Sequence, residues 1–143
     1  MLIDKAAIRQ LVPHAGGMCL IDAVHAWDAS HIECSSHSHR DPGNPLRRHG
    51  RLAALHAFEY GAQAAAIHGG LLAAETGQPM PRAWLGALRD AHLSACRLDT
   101  IPTPLQIVAV LLLNENGNAI YRCRVGATGI AIASARLVIV RRT

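Results

Sequence analysis

Aromatic side chains are almost missing from this chain: Trp27, Phe58, Tyr60, Trp84 and Tyr121 are all there are in 143 residues. Half of the residues are nonetheless hydrophobic. The core must therefore be aliphatic, with many alanines that let elements pack closely. The same scarcity, together with the lack of a basic block, argues against nucleic acid, whose binders combine basic patches with stacking aromatics. A formal net charge of +4 suits an acidic protein partner instead. No apolar run is long enough to span a bilayer, and Met1 to Gln10 mixes Asp4, Lys5 and Arg9 into its apolar residues. Neither a membrane span nor a signal peptide is expected, and the expected location is cytoplasmic. Cys19, Cys34, Cys96 and Cys123 lack the C-x-x-C spacing of zinc and redox sites and read as reduced thiols. The length predicts a single domain, 1–143.

The order of elements is legible. Asp4 to Leu11 predicts a short helix with Asp4 as its N-cap, stopped by Val12-Pro13-His14 and Gly16-Gly17. Met18 to Trp27 and His31 to Ser36 predict paired strands joined near Asp28-Ala-Ser30. A polar loop follows from His37 to Gly50, with Asp41 and Asn44 as turn formers. A long helix is expected from about Leu52 to Glu75. Four strands come next: Ala83 to Arg97, Pro104 to Leu113, Ala119 to Thr128 and Ile130 to Val140. Asn114-Glu-Asn-Gly-Asn118 is the hairpin signal between the second and third of these. One long hydrophobic helix can bury its faces only if a strongly curved antiparallel sheet wraps it, so the fold class is α+β. The open edge of such a sheet predicts edge-to-edge dimerisation.

Glu59 is the residue out of place. At 100° per residue it lies in the middle of a face shared by Leu52, Leu55, Ala62 and Ala66, with Gln63 one turn further on. A carboxylate in an apolar stripe carries a desolvation cost and needs a partner or a job. It reads either as an acid in a dry pocket or as a structural carboxylate paired with an arginine. Upstream, His49 stands among Arg47, Arg48 and Arg51, where a histidine reads as a solvated loop residue. His37 and His39 form an H-x-H pair with no third ligand at a convincing spacing, so no metal site is expected. His68 falls on the helix face opposite Glu59, and His56 reads as packing.

Four stretches carry a resemblance. Leu11-Val-Pro-His-Ala-Gly-Gly-Met-Cys-Leu-Ile-Asp22 resembles the Ile-Pro-His, loop, Leu-Leu-Val-Asp pattern of the hot-dog-fold 3-hydroxyacyl-(acyl carrier protein) dehydratases. Glu59-Tyr-Gly-Ala-Gln63 is similar to their helical Glu-Ala-Met-Ala-Gln signature, and Trp84-Leu-Gly-Ala-Leu-Arg89 to the strand after the central helix. The segment Asn44-Pro-Leu-Arg-Arg-His-Gly-Arg-Leu52 resembles in particular the ApeP-like branch, associated with aryl polyene synthesis.

The resemblance implies a curved antiparallel sheet around one long central helix, and dehydration of carrier-bound 3-hydroxyacyl thioesters to trans-2-enoyl thioesters. It implies Glu59 as the group handling the hydroxyl, Gln63 positioning it or the substrate, and Gly50 and Leu52 beside the substrate. His14 would fix a turn. No resident cofactor is implied, because the phosphopantetheine arm arrives with the carrier. Arg47, Arg48 and Arg51 would then meet an acidic acyl carrier protein. The family's Gly-His-Phe-Pro-Gly loop is replaced here by His49-Gly50, at a shorter distance from Glu59. His49 is then a shifted base, or a partner chain supplies the base, since in these dehydratases His and carboxylate come from opposite protomers of a dimer. A homodimer and a heterodimer with a related dehydratase both fit. Two other readings stand beside this one: a thioesterase in which Glu59 activates water, and a non-catalytic acyl-binding dimer partner.

Overall fold

The structure is a computed structural model that describes residues 2–11, 19–79, 82–115 and 118–142. A two-residue strand β1 (Ile3–Asp4) leads into helix α1 (Lys5–Leu11). Asp4 caps it: its Oδ1 accepts the Ala7 N–H at 2.9 Å. The proline and glycine signals at 12–18, His14 among them, lie outside the described residues. Strands β2 (Ala23–Trp27) and β3 (His31–Ser36) follow, then helix α2 (Ala57–Glu75). The chain closes with β4 (Arg82–Leu93), β5 (Leu105–Glu115), β6 (Asn118–Ala127) and β7 (Ile130–Arg142).

All seven strands form one antiparallel sheet in the order β1-β2-β3-β5-β6-β7-β4. The α2 connection carries the chain from β3 to the far edge, and β5 returns beside β3. That leaves β4 paired only to β7, with its other edge open. The predicted hairpin is present, with Glu115 opposite Asn118, although its two central residues lie outside the described ones.

Alternation in the strands decides which face meets the helix. Tyr121, Cys123 and Val125 are buried, whereas Arg122 and Arg124 between them are exposed. In β7, Ala133, Ala135, Leu137 and Ile139 point inward in the same way. Helix α2 packs on β3, β5, β6 and β7. It is apolar on nearly every side, as a helix wrapped by a sheet must be. Contact is closest at Gly61, where an added Cβ would sit 2.7 Å from the Cys123 Sγ. The cysteines are free, and Cys19, Cys34 and Cys123 are buried. No helix among the described residues is long and apolar enough to cross a membrane.

The long helix begins five residues later than its sequence predicts. Residues before it use their backbone groups elsewhere. The Leu52 N–H donates to Asp99 Oδ1 at 2.9 Å, the Leu52 carbonyl accepts from the Leu98 N–H at 2.8 Å, and the Ala54 N–H donates to the Cys96 carbonyl at 2.9 Å. Asp99 is held in turn by the Arg97 guanidinium, which keeps its carboxyl well below the usual carboxylate range. The segment is thus clamped to the loop after β4, and only a 3-10 turn at Ala54–His56 separates it from α2.

Candidate active site

The late helix start corrects the face on which Glu59 lies. Leu52 is fully buried on the clamp and Leu55 is 59% exposed, so neither shares a helical stripe with Glu59. What remains is Glu59, Ala62, Ala66 and Gly69, the half-buried line of an otherwise buried helix. This is the side of α2 that the sheet leaves open.

Glu59 is the third residue of α2, in the first turn, where the unsatisfied N–H groups favour a carboxylate. It lines a cleft of about 210 Å³ with Ala62, Gln63 and Ala66 of the helix, Ala83, Trp84 and Leu85 of β4, and Ile139 of β7. The walls are apolar apart from Glu59 and Gln63. Among the described residues no lysine or arginine pairs with Glu59, so the structural ion pair is not what holds it. Instead the Gln63 Nε2 donates to Glu59 Oε1 at 3.4 Å. Gln63 is itself 4% exposed, and its Oε1 accepts the Leu20 N–H at 2.8 Å. That bond fixes which end of the amide is oxygen and turns the NH₂ toward the carboxylate. A carboxylate with free lone pairs, aimed by a buried amide into an apolar cleft, is equipped to exchange a proton with a ligand.

The other predicted site residues lie elsewhere. His49 and Gly50 are the corners of a two-residue turn, with φ of 54° and 74°. Arg48 and Arg51 pair backbone to backbone across it, at 2.8 and 3.0 Å. Two left-handed residues in a row are what a type I′ turn requires, and Gly at the second supplies one of them without strain. Both His49 and Gly50 are exposed, and neither lines the Glu59 cleft. Leu52 is also absent from it, buried on the clamp.

Arg47 is a tie in the loop: its Nη1 and Nη2 donate to the carbonyls of Gly50 and His39, both at 2.9 Å. Arg40 similarly holds the Asp99 carbonyl at 2.8 Å. Arg48 and Arg51 are exposed.

The loop is pinned to the helix through Tyr60, whose hydroxyl bonds Ser38 Oγ at 2.8 Å and accepts from Asn44 Nδ2 at 3.3 Å. Asp41 and Asn44 form the expected turns, accepting the N–H groups of Gly43 and Leu46 at 2.8 and 2.9 Å. The two histidines of the H-x-H pair diverge. His39 is fully buried, with Nε2 donating to the Ile101 carbonyl at 3.0 Å, whereas His37 faces Asp22 at the surface.

On the buried side of α2, His68 has Nε2 donating to the Asp28 carbonyl at 2.7 Å and Nδ1 accepting from the Tyr121 hydroxyl at 2.8 Å. Burial lowers the His68 pKa and pushes the Tyr121 phenol up to about 12, so both stay neutral.

Sequence reasoning missed the β4 wall. The signal was available in Trp84 and Leu85, large apolar neighbours that point to opposite faces of one strand and so cannot both enter the core.

The family described as ApeP-like, ApeP dehydratase, matches residues 6–143. The chain belongs to the ApeP-like dehydratases. Structurally, this ApeP-like dehydratase is similar to a chain of the dehydratase heterocomplex ApeI:P from Xenorhabdus doucetiae, with a TM-score of 0.86 and 22% identity over 95% of this chain and 91% of that one. AziG from S. sahachiroi matches at a TM-score of 0.64 and 11% identity, covering 92% and 97%. A hypothetical thioesterase with coenzyme A from Streptococcus pneumoniae TIGR4 matches at 0.60 and 10% identity, covering 84% of each chain. These neighbours establish the hot-dog fold for the ApeP-like chain. No curated protein matches the sequence.

Proposed function

We propose that this chain dehydrates 3-hydroxyacyl thioesters borne on an acyl carrier protein to trans-2-enoyl thioesters, as the carboxylate half of a two-chain active site. Loss of water needs a base for the C2 proton and an acid for the departing hydroxyl. Glu59 is the acid, aimed by Gln63. The observation that carries the reading is the cleft itself: a lone carboxylate in an apolar wall, with no histidine lining it among the described residues.

At about 210 Å³ the cleft falls short of the roughly 300 Å³ at which ligand pockets usually begin. A second chain laid along the open edge of β4 would enlarge it and bring the base. The ApeI:P neighbour is a heterocomplex of dehydratases, which supports a related dehydratase as that partner. His49, as a turn corner, is then dispensable. The chemistry is acid–base throughout and calls for no resident cofactor, the phosphopantetheine arriving with the carrier.

The test assays this chain, a related histidine-bearing dehydratase, and the two co-expressed. The mixture is expected to be much the most active, and His49→Ala to change it little. Full activity of the lone chain, abolished by His49→Ala, would overturn the shared site. Saturated acyl thioesters offered in parallel separate dehydration from hydrolysis, and the proposal requires the former to dominate.

A further inference from the structure

The sheet face turned away from α2 carries a second, unrelated cluster. Arg122 on β6 stands directly opposite Arg136 on β7, which stands opposite Arg89 on β4, and Arg124 is opposite Ser134. Like charges directly across a ladder are destabilising, so three arginines in one row are a cost that the fold does not need. One counter-charge is supplied: Arg136 donates through Nε at 2.9 Å, and through Nη2, to Asp90 Oδ2. Asp90 does so from a left-handed backbone, φ 52°, at an irregularity in β4 where the register shifts. A non-glycine residue held there is strained. Arg122 and Arg124 are exposed and have no hydrogen-bond or ion-pair partner among the described residues. Together with Asp90, Ser134 and Arg136 they border a cleft of about 340 Å³.

We propose that this cleft is a binding site for a multiply charged phosphate-type anion. Three guanidinium groups against one carboxylate leave two positive charges, and their planar forks match phosphate oxygens bidentately. Successive same-face residues on a strand lie roughly 7 Å apart, and directly opposite ones roughly 5 Å, so Arg122, Arg124 and Arg136 can converge on one anion, with the Ser134 hydroxyl as a further donor. The site is independent of Glu59, which lies on the other side of the sheet.

The experiment titrates the full chain, with its partner if one is needed for solubility, with inorganic pyrophosphate and follows the melting temperature against sodium chloride at matched ionic strength. A saturable rise of several degrees is expected with pyrophosphate alone. Arg122→Gln with Arg124→Gln should weaken it at least ~10²-fold, the loss of two charged hydrogen-bonding groups. Glu59→Gln should leave it unchanged. Competition by ATP would assign the phosphate to a nucleotide, and competition by coenzyme A to a thioester carrier. No saturable rise, a rise that chloride reproduces, or a rise that survives the double substitution would overturn the site.

Discussion

Two polar side chains on helix α2 live under opposite regimes. His68 faces the sheet, fully buried, and each ring nitrogen is met by the fold, one by the Tyr121 hydroxyl and one by the Asp28 carbonyl. Glu59 faces the open side, with one long bond from Gln63 and a cleft in front of it. A group whose donors and acceptors are all spent has nothing left for a ligand, whatever its chemistry. A group oriented but left with spare capacity has been placed for something that comes and goes. The contrast teaches that, on one helix, hydrogen-bond accounting separates a structural residue from a reactive one better than residue type does.

The largest expected effect breaks the reactive side. Glu59→Gln should keep the melting temperature and lower the dehydration rate at least ~10²-fold, the usual worth of a positioned acid. Both are to be measured with the partner present, and near-normal turnover in a folded variant would remove Glu59 from the mechanism.

The next breaks the structural side. Tyr121→Phe keeps the volume but leaves the buried His68 Nδ1 unmet, at a cost of about 1–3 kcal/mol in urea unfolding, with turnover per folded molecule unchanged. The same site predicts a pH dependence. Burial depresses the His68 pKa in the folded chain, so at acidic pH the unfolded chain binds more protons. Stability is therefore full above the unfolded value of about 6.5 and declines as the pH falls through the folded one. His68→Gln should flatten that decline, and an unchanged slope would assign it to other groups.

A smaller and sharper test uses one substitution on both sides of the helix. Gly61→Ala drives a methyl into Cys123 and should cost about 1–3 kcal/mol. Gly69→Ala meets nothing within 4 Å and should instead stabilise the helix by about 0.5–1 kcal/mol. Equal signs in chemical unfolding would mean that the open side is not open in solution.

How much of this was legible beforehand follows the physics of each signal. Strand periodicity is local, so β3 begins and ends where the alternation does, and Arg122 and Arg124 alternate with the buried Tyr121, Cys123 and Val125. Glu59 was legible because a charge interrupting an apolar helix is visible without coordinates. The start of α2 was not. Leu52 and Leu55 keep helical spacing with Glu59, but Asp99 and Cys96, more than forty positions away, claim the backbone donors at residues 52 and 54. A long-range clamp leaves no trace in local periodicity. The same holds for Arg47: the run Arg47-Arg48-His49-Gly50-Arg51 reads as one basic patch, while the fold spends Arg47 on two carbonyls and turns His49 and Gly50 into a hairpin corner.

That division of the basic patch sets the last and smallest effect. Arg47 cannot be used to probe carrier docking, because its reversal would release the Gly50 and His39 carbonyls and loosen the loop. Arg48 and Arg51 are exposed, and their pairing across the turn is made by backbone atoms that any side chain leaves intact. Arg48→Glu with Arg51→Glu should therefore preserve the fold and lower kcat/KM for a carrier-borne substrate by roughly tenfold, as expected of rim charges that steer encounter. A small free thioester, which has no acidic carrier to steer, should be turned over as before. Raising the salt should reproduce the loss in the unaltered protein, since exposed charges are screened over about 8–10 Å at moderate ionic strength. Equal losses on both substrates would place these arginines with Arg47, as parts of the loop, and the carrier would then have to dock elsewhere on the molecule.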